Sequence, residues 1–365
     1  MLKRFPWGYS LGPSEVTKMN SEKPGRIRAW VTELRLPFLT GSIMPIILGT
    51  IIAWNETHGF YLDLFLLTLI AGVCLHLGAN VSNDYFDHLN RTDDINVDYI
   101  RPFSGGARMI QEGLLTPRAV LAGSLVLFAI AGVIGLYLFS IRGIVLLVLG
   151  GIGAFSGFFY TAPPFRFVTR GIGEIFIGLN FGVLMTFGAF YVQNPVIIPE
   201  PIVASLPLAI LITAVLFINQ FPDSKADEAA GKRTLVVRLG PRGAATGYFV
   251  LAFSVYVAVM LGVGLMLLTM SSMLVVAIVP LAVLGSRTAL AHYSSPTGLI
   301  PAYAATVTNH LLTGVALSVA YLLDGIAAQP WMYLAAGIVL FAVSVALAEK
   351  IASVPVPPTP TDSAQ

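Results

Sequence analysis

The chain has little charge. Of its 365 residues only 11% are Asp, Glu, Lys or Arg, against about a quarter in an ordinary soluble domain, and its mean hydropathy is +0.80. A soluble globular fold is thereby excluded. A single cysteine, Cys74, excludes any intramolecular disulfide. The five histidines are scattered and offer no zinc-binding spacing. No Walker-type loop, nucleophile elbow or nucleic-acid module is found, so nucleic acid is not expected as a partner. No apolar run precedes residue 36, so a signal peptide is not expected either.

Long apolar runs take up most of the length. Stretches near the ~20 residues needed to cross a bilayer fall at 37–54, 63–87, 118–139, 144–161, 172–192, 201–221, 243–268, 273–291, 300–323 and 331–348. They predict an all-α, polytopic membrane bundle of nine to ten transmembrane helices. Every Lys and Arg except Arg142 falls on one side of that arrangement. The positive-inside rule makes that side cytoplasmic, with the N-terminus inside and the protein multi-pass in the cell's inner membrane. Residues 1–35 read as a basic lead lying against anionic lipid, 36–323 as the main domain, 324–350 as an extra C-terminal helix, and 351–365 as a Pro-rich tail.

Against this apolar background two acidic clusters stand out. The first is Asn83-Asp84-Tyr85-Phe86-Asp87, with Asp93 and Asp94 beyond it; the second runs from Asn219 through Asp223 to Asp227. Each closes an even-numbered span, so both face the same side. Carboxylates at such depth are costly unless something offsets them, and they mark a functional site. Asn83 and Asp87, four apart, share a helical face, and Asn219, Asp223 and Asp227 repeat that spacing twice, although Pro222 is expected to distort its helix. Hard oxygen donors of this kind suit Mg²⁺, which binds through a few carboxylates, waters and substrate phosphates. Asn83, Asp84, Asp87, Asp93, Asp94, Asp223 and Asp227 are the candidate metal ligands, and Asp84, turned by about 100° from Asn83, is the least secure. Arg101, Lys232 and Arg233 can donate to phosphate oxygens. One such cluster alone would read as a solvated helix end; two on one side, each with basic followers, argue for a clamp on a metal-bound diphosphate.

These motifs carry a resemblance. Asn83 to Asp87, Asp93-Asp94 and Arg101-Pro-Phe-Ser-Gly-Gly-Ala-Arg-Met-Ile-Gln-Glu-Gly113 resemble the first conserved region of UbiA-type membrane prenyltransferases. Asn219 to Asp227 followed by Gly231-Lys-Arg-Thr-Leu-Val-Val-Arg-Leu-Gly240 resembles the second, and Tyr160-Thr-Ala-Pro-Pro-Phe-Arg166 through Glu174 the connector after the fourth helix. The likeness covers about residues 30–323 and is strongest to the 1,4-dihydroxy-2-naphthoate polyprenyltransferases of menaquinone synthesis. It departs where many members carry a third acid four residues after Asp87: here that residue is Arg91. The resemblance implies a helical bundle around a central cavity, a polyprenyl diphosphate donor, an aromatic acceptor and a pair of Mg²⁺ ions. Asn83, Asp87, Asp223 and Asp227 would be catalytic, and Arg35, Arg101, Tyr160, Asn219, Lys232 and Arg233 would bind substrate.

Several readings stay open on sequence alone. Arg35 and Tyr160 serve equally as membrane-interface anchors, Glu174 as a helix cap, and His76 as a hydrogen-bonded core histidine or a base. Gly150, Gly151, Gly153, Gly157, Gly178, Gly182 and Gly188 suit close helix packing, the commoner use in membranes, or room for a prenyl tail passing into lipid. The acceptor could be a hydroxybenzoate, a homogentisate, a tetrapyrrole or a lipid. Intramembrane acids and ten spans also fit a secondary transporter.

Overall fold

The computed structural model describes residues 25–96, 99–101 and 103–355, apart from the side chain of residue 94. The expected basic arm up to Lys23, the Asp94 side chain and the tail beyond 355 therefore lie outside the described residues. Among those described there is no strand. Nine helices are long and apolar enough to cross a membrane, and a tenth apolar helix is shorter.

A short helix, α1 (Arg26–Glu33), leads through a turn at Leu36–Leu39 into α2 (Thr40–Thr57) and α3 (Leu62–Leu89). Helix α4 (Pro117–Arg142) starts with Pro117 in its first turn, and the Thr116 hydroxyl accepts the Ala119 N–H at 3.3 Å. Such a cap satisfies one of the four orphan donors at a helix start. Gly143, at φ 93°, ends α4 and turns the chain straight into α5 (Ile144–Phe158). With 15 residues α5 is the short one, and it stops before the span expected to reach 161. Helix α6 (Gly173–Gln193) contains a π-helical stretch at Leu179–Leu184.

Helix α7 (Glu200–Ala229) runs unbroken through Pro207 and Pro222. The second acidic cluster is therefore on the helix itself rather than beyond its end. Then follow α8 (Leu235–Gly264), kinked at Gly240, α9 (Met270–His292), α10 (Ile300–Gly325) and α11 (Pro330–Ala352).

Burial separates centre from rim. Helix α10 buries 67% of its most apolar window and α7 61%, whereas α4 buries 17% and α11 11%. Helix α7 packs on α8 and α10, and α2 packs on α6 and α10. Close approaches rest on small residues: a Cβ at Gly182 of α6 would run into Ala209 of α7, as expected where helices associate by van der Waals contact. The rim presents Val133, Leu136, Ile338 and Val339 outward, an apolar surface that only lipid can cover without cost.

Candidate active site

Helices α3 and α7 face each other across a cavity of about 220 Å³. From α3 it is lined by His76, Asn80, Asn83 and Asp87, and from α7 by Ile212, Leu216, Asn219, Asp223 and Asp227. Steps of three and four residues place each set on one helical face, as the sequence spacing predicts. Asn83 Nδ2 donates to Thr161 Oγ1 at 2.5 Å. Asp84 is turned away from the cavity. Its carboxylate pairs with Arg35 and accepts the Ala107 N–H at 3.3 Å. The expectation of Asp84 as a direct metal ligand is corrected by that rotation: it holds Arg35, which does line the cavity.

Residues 92–96 and 103–111, after α3, pack against the acids as a lid. Asp93 lies on the single turn Thr92–Ile95 and lines the cavity. Its Oδ2 accepts Gln111 Nε2 at 3.0 Å, and its backbone carbonyl accepts Arg108 Nη1 at 2.8 Å. Asp223 accepts Asn96 Nδ2 at 2.7 Å and the Gly105 N–H at 3.3 Å. Gly106 has φ 71°, and a Cβ there would sit 2.9 Å from Asp84 Oδ1 and 3.2 Å from Arg35 Nη2. Both conformation and space thus demand glycine at this position.

One of the expected phosphate-binding cations sits at the acids. Lys232 Nζ lies 2.7 Å from Asp87 Oδ1 and 3.9 Å from Asp227 Oδ1. Burial acts to lower its pKa, but Asp87 and Asp227 outweigh it and hold the ammonium above the usual lysine range. Burial, then Asp87 and Asp84, push Asp93 up to about 8.

Two expectations are corrected. Arg101 is exposed and pairs with Glu112, eleven residues on. Arg233 is also exposed; its N–H donates to Thr169 O and its carbonyl accepts Arg238 Nε. Neither lines the cavity. Arg233 follows Lys232 directly in the turn before α8, so the burial of one side chain leaves the other outside.

Glu174 caps a helix other than the one it begins: its Oε1 accepts the Leu235 N–H at 3.1 Å at the start of α8. Tyr160 lines the cavity with an unpartnered hydroxyl, and burial, then Glu174, raises its pKa. Sequence reasoning missed Asn96 and Gln220. Gln220 is 6% exposed, lines the cavity and has an unpartnered Oε1; its one signal was its place beside Asn219.

Among the described residues no three His, Cys, Asp or Glu side chains form a closed metal cage. The donor set is nonetheless one of hard oxygens: Asn83, Asp87, Asp93, Asp223 and Asp227 around one cavity. That fits Mg²⁺, which takes few protein ligands and leaves the rest to water and substrate phosphate.

A second cavity, apolar and about 470 Å³, adjoins the first between α3, α4, α5 and α6. Arg35, His76, Asn80, Asn83, Tyr160 and Phe181 line both. The glycines split in use here. A Cβ at Gly178 would lie 2.7 Å from Thr213 Oγ1, so that glycine packs; at Gly132, Gly150, Gly151 and Gly153 it would meet nothing within 4 Å. Gly132, Leu136, Leu147, Gly150 and Gly151 are exposed as well as lining the cavity, which therefore opens on the outer surface of the α4–α5 hairpin.

Residues 42–303 match the UbiA prenyltransferase family. The chain belongs to that family. It is 32% identical over 228 residues to 1,4-dihydroxy-2-naphthoate octaprenyltransferase of Escherichia coli (strain K12), across 61% of this chain and 72% of the relative. To the 2-carboxy-1,4-naphthoquinone phytyltransferase of Synechocystis it is 26% identical over 303 residues, 82% of this chain and 95% of the relative. The fold is shared with a UbiA homolog from Aeropyrum pernix K1 (TM-score 0.53, 14% identity, 78% of this chain and 97% of that one). It is shared too with a UbiA homolog from Archaeoglobus fulgidus bound to DMAPP and Mg²⁺ (TM-score 0.51, 15% identity, 89% and 99%). This UbiA-family chain is thus a multi-pass membrane prenyltransferase, and the transporter reading falls away.

Proposed function

We propose that the protein transfers a polyprenyl group from polyprenyl diphosphate to 1,4-dihydroxy-2-naphthoate, with loss of CO₂, in menaquinone synthesis. The observation that carries this reading is the join of two cavities, one lined by Asp87, Asp223, Asp227 and Lys232 and the other apolar and open to lipid. Such a pair matches a donor with an anionic head and a hydrocarbon tail. The naphthoate acceptor is supported by the relatives' names.

Asn83, Asp87, Asp93, Asp223 and Asp227 would hold two Mg²⁺ ions, whose charge stabilises the departing diphosphate. Lys232 donates to a diphosphate oxygen, and Asn219 and Arg35 position donor and acceptor. As the allylic C–O bond breaks, its electron pair leaves with diphosphate. The electron-rich ring carbon that bears the carboxylate then attacks the allylic cation, and the ring regains aromaticity as its bond to the carboxylate breaks and CO₂ leaves. Tyr160 presents its ring face to that cation, and the apolar wall excludes water that would capture it. The distribution of Lys and Arg supports a site on the cytoplasmic side of the inner membrane.

The test is prenyl transfer by purified protein in nanodiscs, with geranylgeranyl and longer diphosphates and a panel of aromatic acceptors, with Mg²⁺ or EDTA. The expected product is a prenylated, decarboxylated naphthoate, abolished by EDTA. Turnover on another acceptor alone would overturn the naphthoate assignment, and no product on any would overturn the reading.

A further inference from the structure

Polarity is unevenly distributed below the acids. At the height of Asp87, α3 and α7 both carry carboxylates. Deeper in the cavity α7 turns apolar with Ile212 and Leu216, α6 contributes Ile177 and Phe181, and the turn before α2 contributes Phe38. Helix α3 stays polar there, with Asn80 and His76, and Arg35 from the turn before α2 also lines both cavities. His76 lies eleven residues before Asp87, about 16 Å along the helix at 1.5 Å per residue. It is 6% exposed and lines both cavities.

The ring of His76 is held from two sides. Nδ1 lies 2.5 Å from Ser42 Oγ on α2. The Phe181 ring meets it edge-on, with centroids 4.5 Å apart and planes at 63°. Phe181 lies in the π-helical stretch of α6, a distortion that often re-aims side chains at functional sites. With Nδ1 engaged, Nε2 is the nitrogen left without a protein partner among the described residues. The floor is thus mostly apolar and aromatic with a few fixed polar groups, the usual make-up of a small-molecule site.

Neither part of a prenyl donor uses such a floor. Diphosphate is drawn to Lys232 and metal, and a hydrocarbon tail leaves a buried imidazole unpaired, which is costly. A hydroxylated aromatic ring satisfies both features, packing on Phe181, Ile212 and Leu216 while its hydroxyl meets the imidazole. We infer that the junction of the two cavities is the acceptor's seat, and that His76, braced by Ser42, hydrogen-bonds a ring hydroxyl of the acceptor through Nε2. This rests on the proposed prenyl transfer to a hydroxylated ring and adds the residue that orients it. The nucleophilic carbon is then turned toward the donor's first isoprene unit. No covalent bond to His76 is involved.

The test uses purified full-length enzyme in nanodiscs, with 1,4-dihydroxy-2-naphthoate and its two mono-O-methyl ethers as ligands. Steady-state kinetics are read separately for donor and acceptor, and the ethers are scored by their inhibition constants. His76→Phe is expected to lower kcat/KM for acceptor about tenfold, the worth of one hydrogen bond, with donor KM within about twofold. His76→Gln is expected to recover part of the loss, and Ser42→Ala to show a smaller, parallel loss. One mono-O-methyl ether should inhibit wild type about tenfold more weakly than the other, and His76→Phe should erase that difference. Equal losses for donor and acceptor, or an undiminished difference between the ethers in His76→Phe, would overturn the seat while leaving prenyl transfer intact. An enzyme that prenylates no hydroxylated ring would overturn the function and the seat together.

Discussion

Lys232 Nζ and Asp87 Oδ1 lie 2.7 Å apart although 145 residues separate them in sequence. One buried lysine therefore ties the turn after α7 to the last helical face of α3, and its charge stands where a diphosphate oxygen would bind. Lys232→Met removes both the tie and the donor. The expected outcome is a loss of kcat/KM for the prenyl donor of about 10²-fold or more, the scale for one preorganised charge at a reacting group. Steady-state kinetics on detergent-purified protein checks it; an unchanged donor KM and rate would remove Lys232 from the site.

Asp87 and Asp223 come from opposite walls of the cavity. Asp87→Asn and Asp223→Asn keep shape and remove charge, so each should cut turnover on the order of 10²–10³-fold. The protein should still enter the membrane and elute as wild type on size exclusion. Near-normal rates in both variants would dismiss the acidic clamp.

Arg35 and Asp84 should behave as one unit. The carboxylate's contacts go to Arg35 and the Ala107 N–H rather than to the cavity. Asp84→Asn and Arg35→Gln are therefore expected to be non-additive, with a coupling of about 1–3 kcal/mol in kcat/KM. A double-mutant cycle measures this, and strict additivity would mean that Asp84 acts independently of Arg35.

Chain length offers a separate test. Side chains at Gly132 and Gly150 would project into open space at the mouth of the apolar cavity. Gly150→Leu should lower the ratio of long-chain (eight units) to short-chain (two units) transfer about tenfold. Competition between the two donors in one vesicle assay reads the ratio directly, and an unaltered ratio would show that the tail leaves by another route.

Asp93 gives a pH signature. Its pKa is raised from 3.8 to about 8, first by burial and then by Asp87 and Asp84. Between those values the folded, ligand-free protein holds a proton that the unfolded chain has released. Stability therefore falls as pH rises through that window and levels off above about 8. Thermal unfolding in EDTA from pH 5 to 9 should show a shallower decline for Asp93→Asn than for wild type; identical slopes would place the titration elsewhere.

The sequence made some of this legible and hid the rest for physical reasons. The helical bundle could be read because each span must hide its backbone from lipid within a single apolar run. Asn83 with Asp87, and Asn219 with Asp223 and Asp227, could be paired because helical spacing is local. Arg101 and Arg233 went wrong because side-chain direction in a loop depends on long-range packing, which brought Glu112 to one and buried Lys232 beside the other. Gln220 and Asn96 were invisible for the same reason: neither is unusual until α3, α7 and the lid close on one space. The glycines shared one composition but serve two uses, and only the positions of neighbouring helices separate Gly182, which packs, from Gly150, which leaves a gap.

Helix α5 is only 15 residues long, about 22 Å at 1.5 Å per residue, against a hydrocarbon core of about 30 Å. A span that short is one around which a bilayer would thin locally to meet the shortfall. Helix α5 lines the apolar cavity where it opens, so such thinning would fall beside that opening. Headgroups drawn toward the protein there would disturb the acyl chains, and a long isoprenoid sliding in or out would displace lipid that has lost part of its order. The enzyme should accordingly work faster in bilayers of shorter-chain lipids, with membrane thickness itself acting as a control on donor exchange.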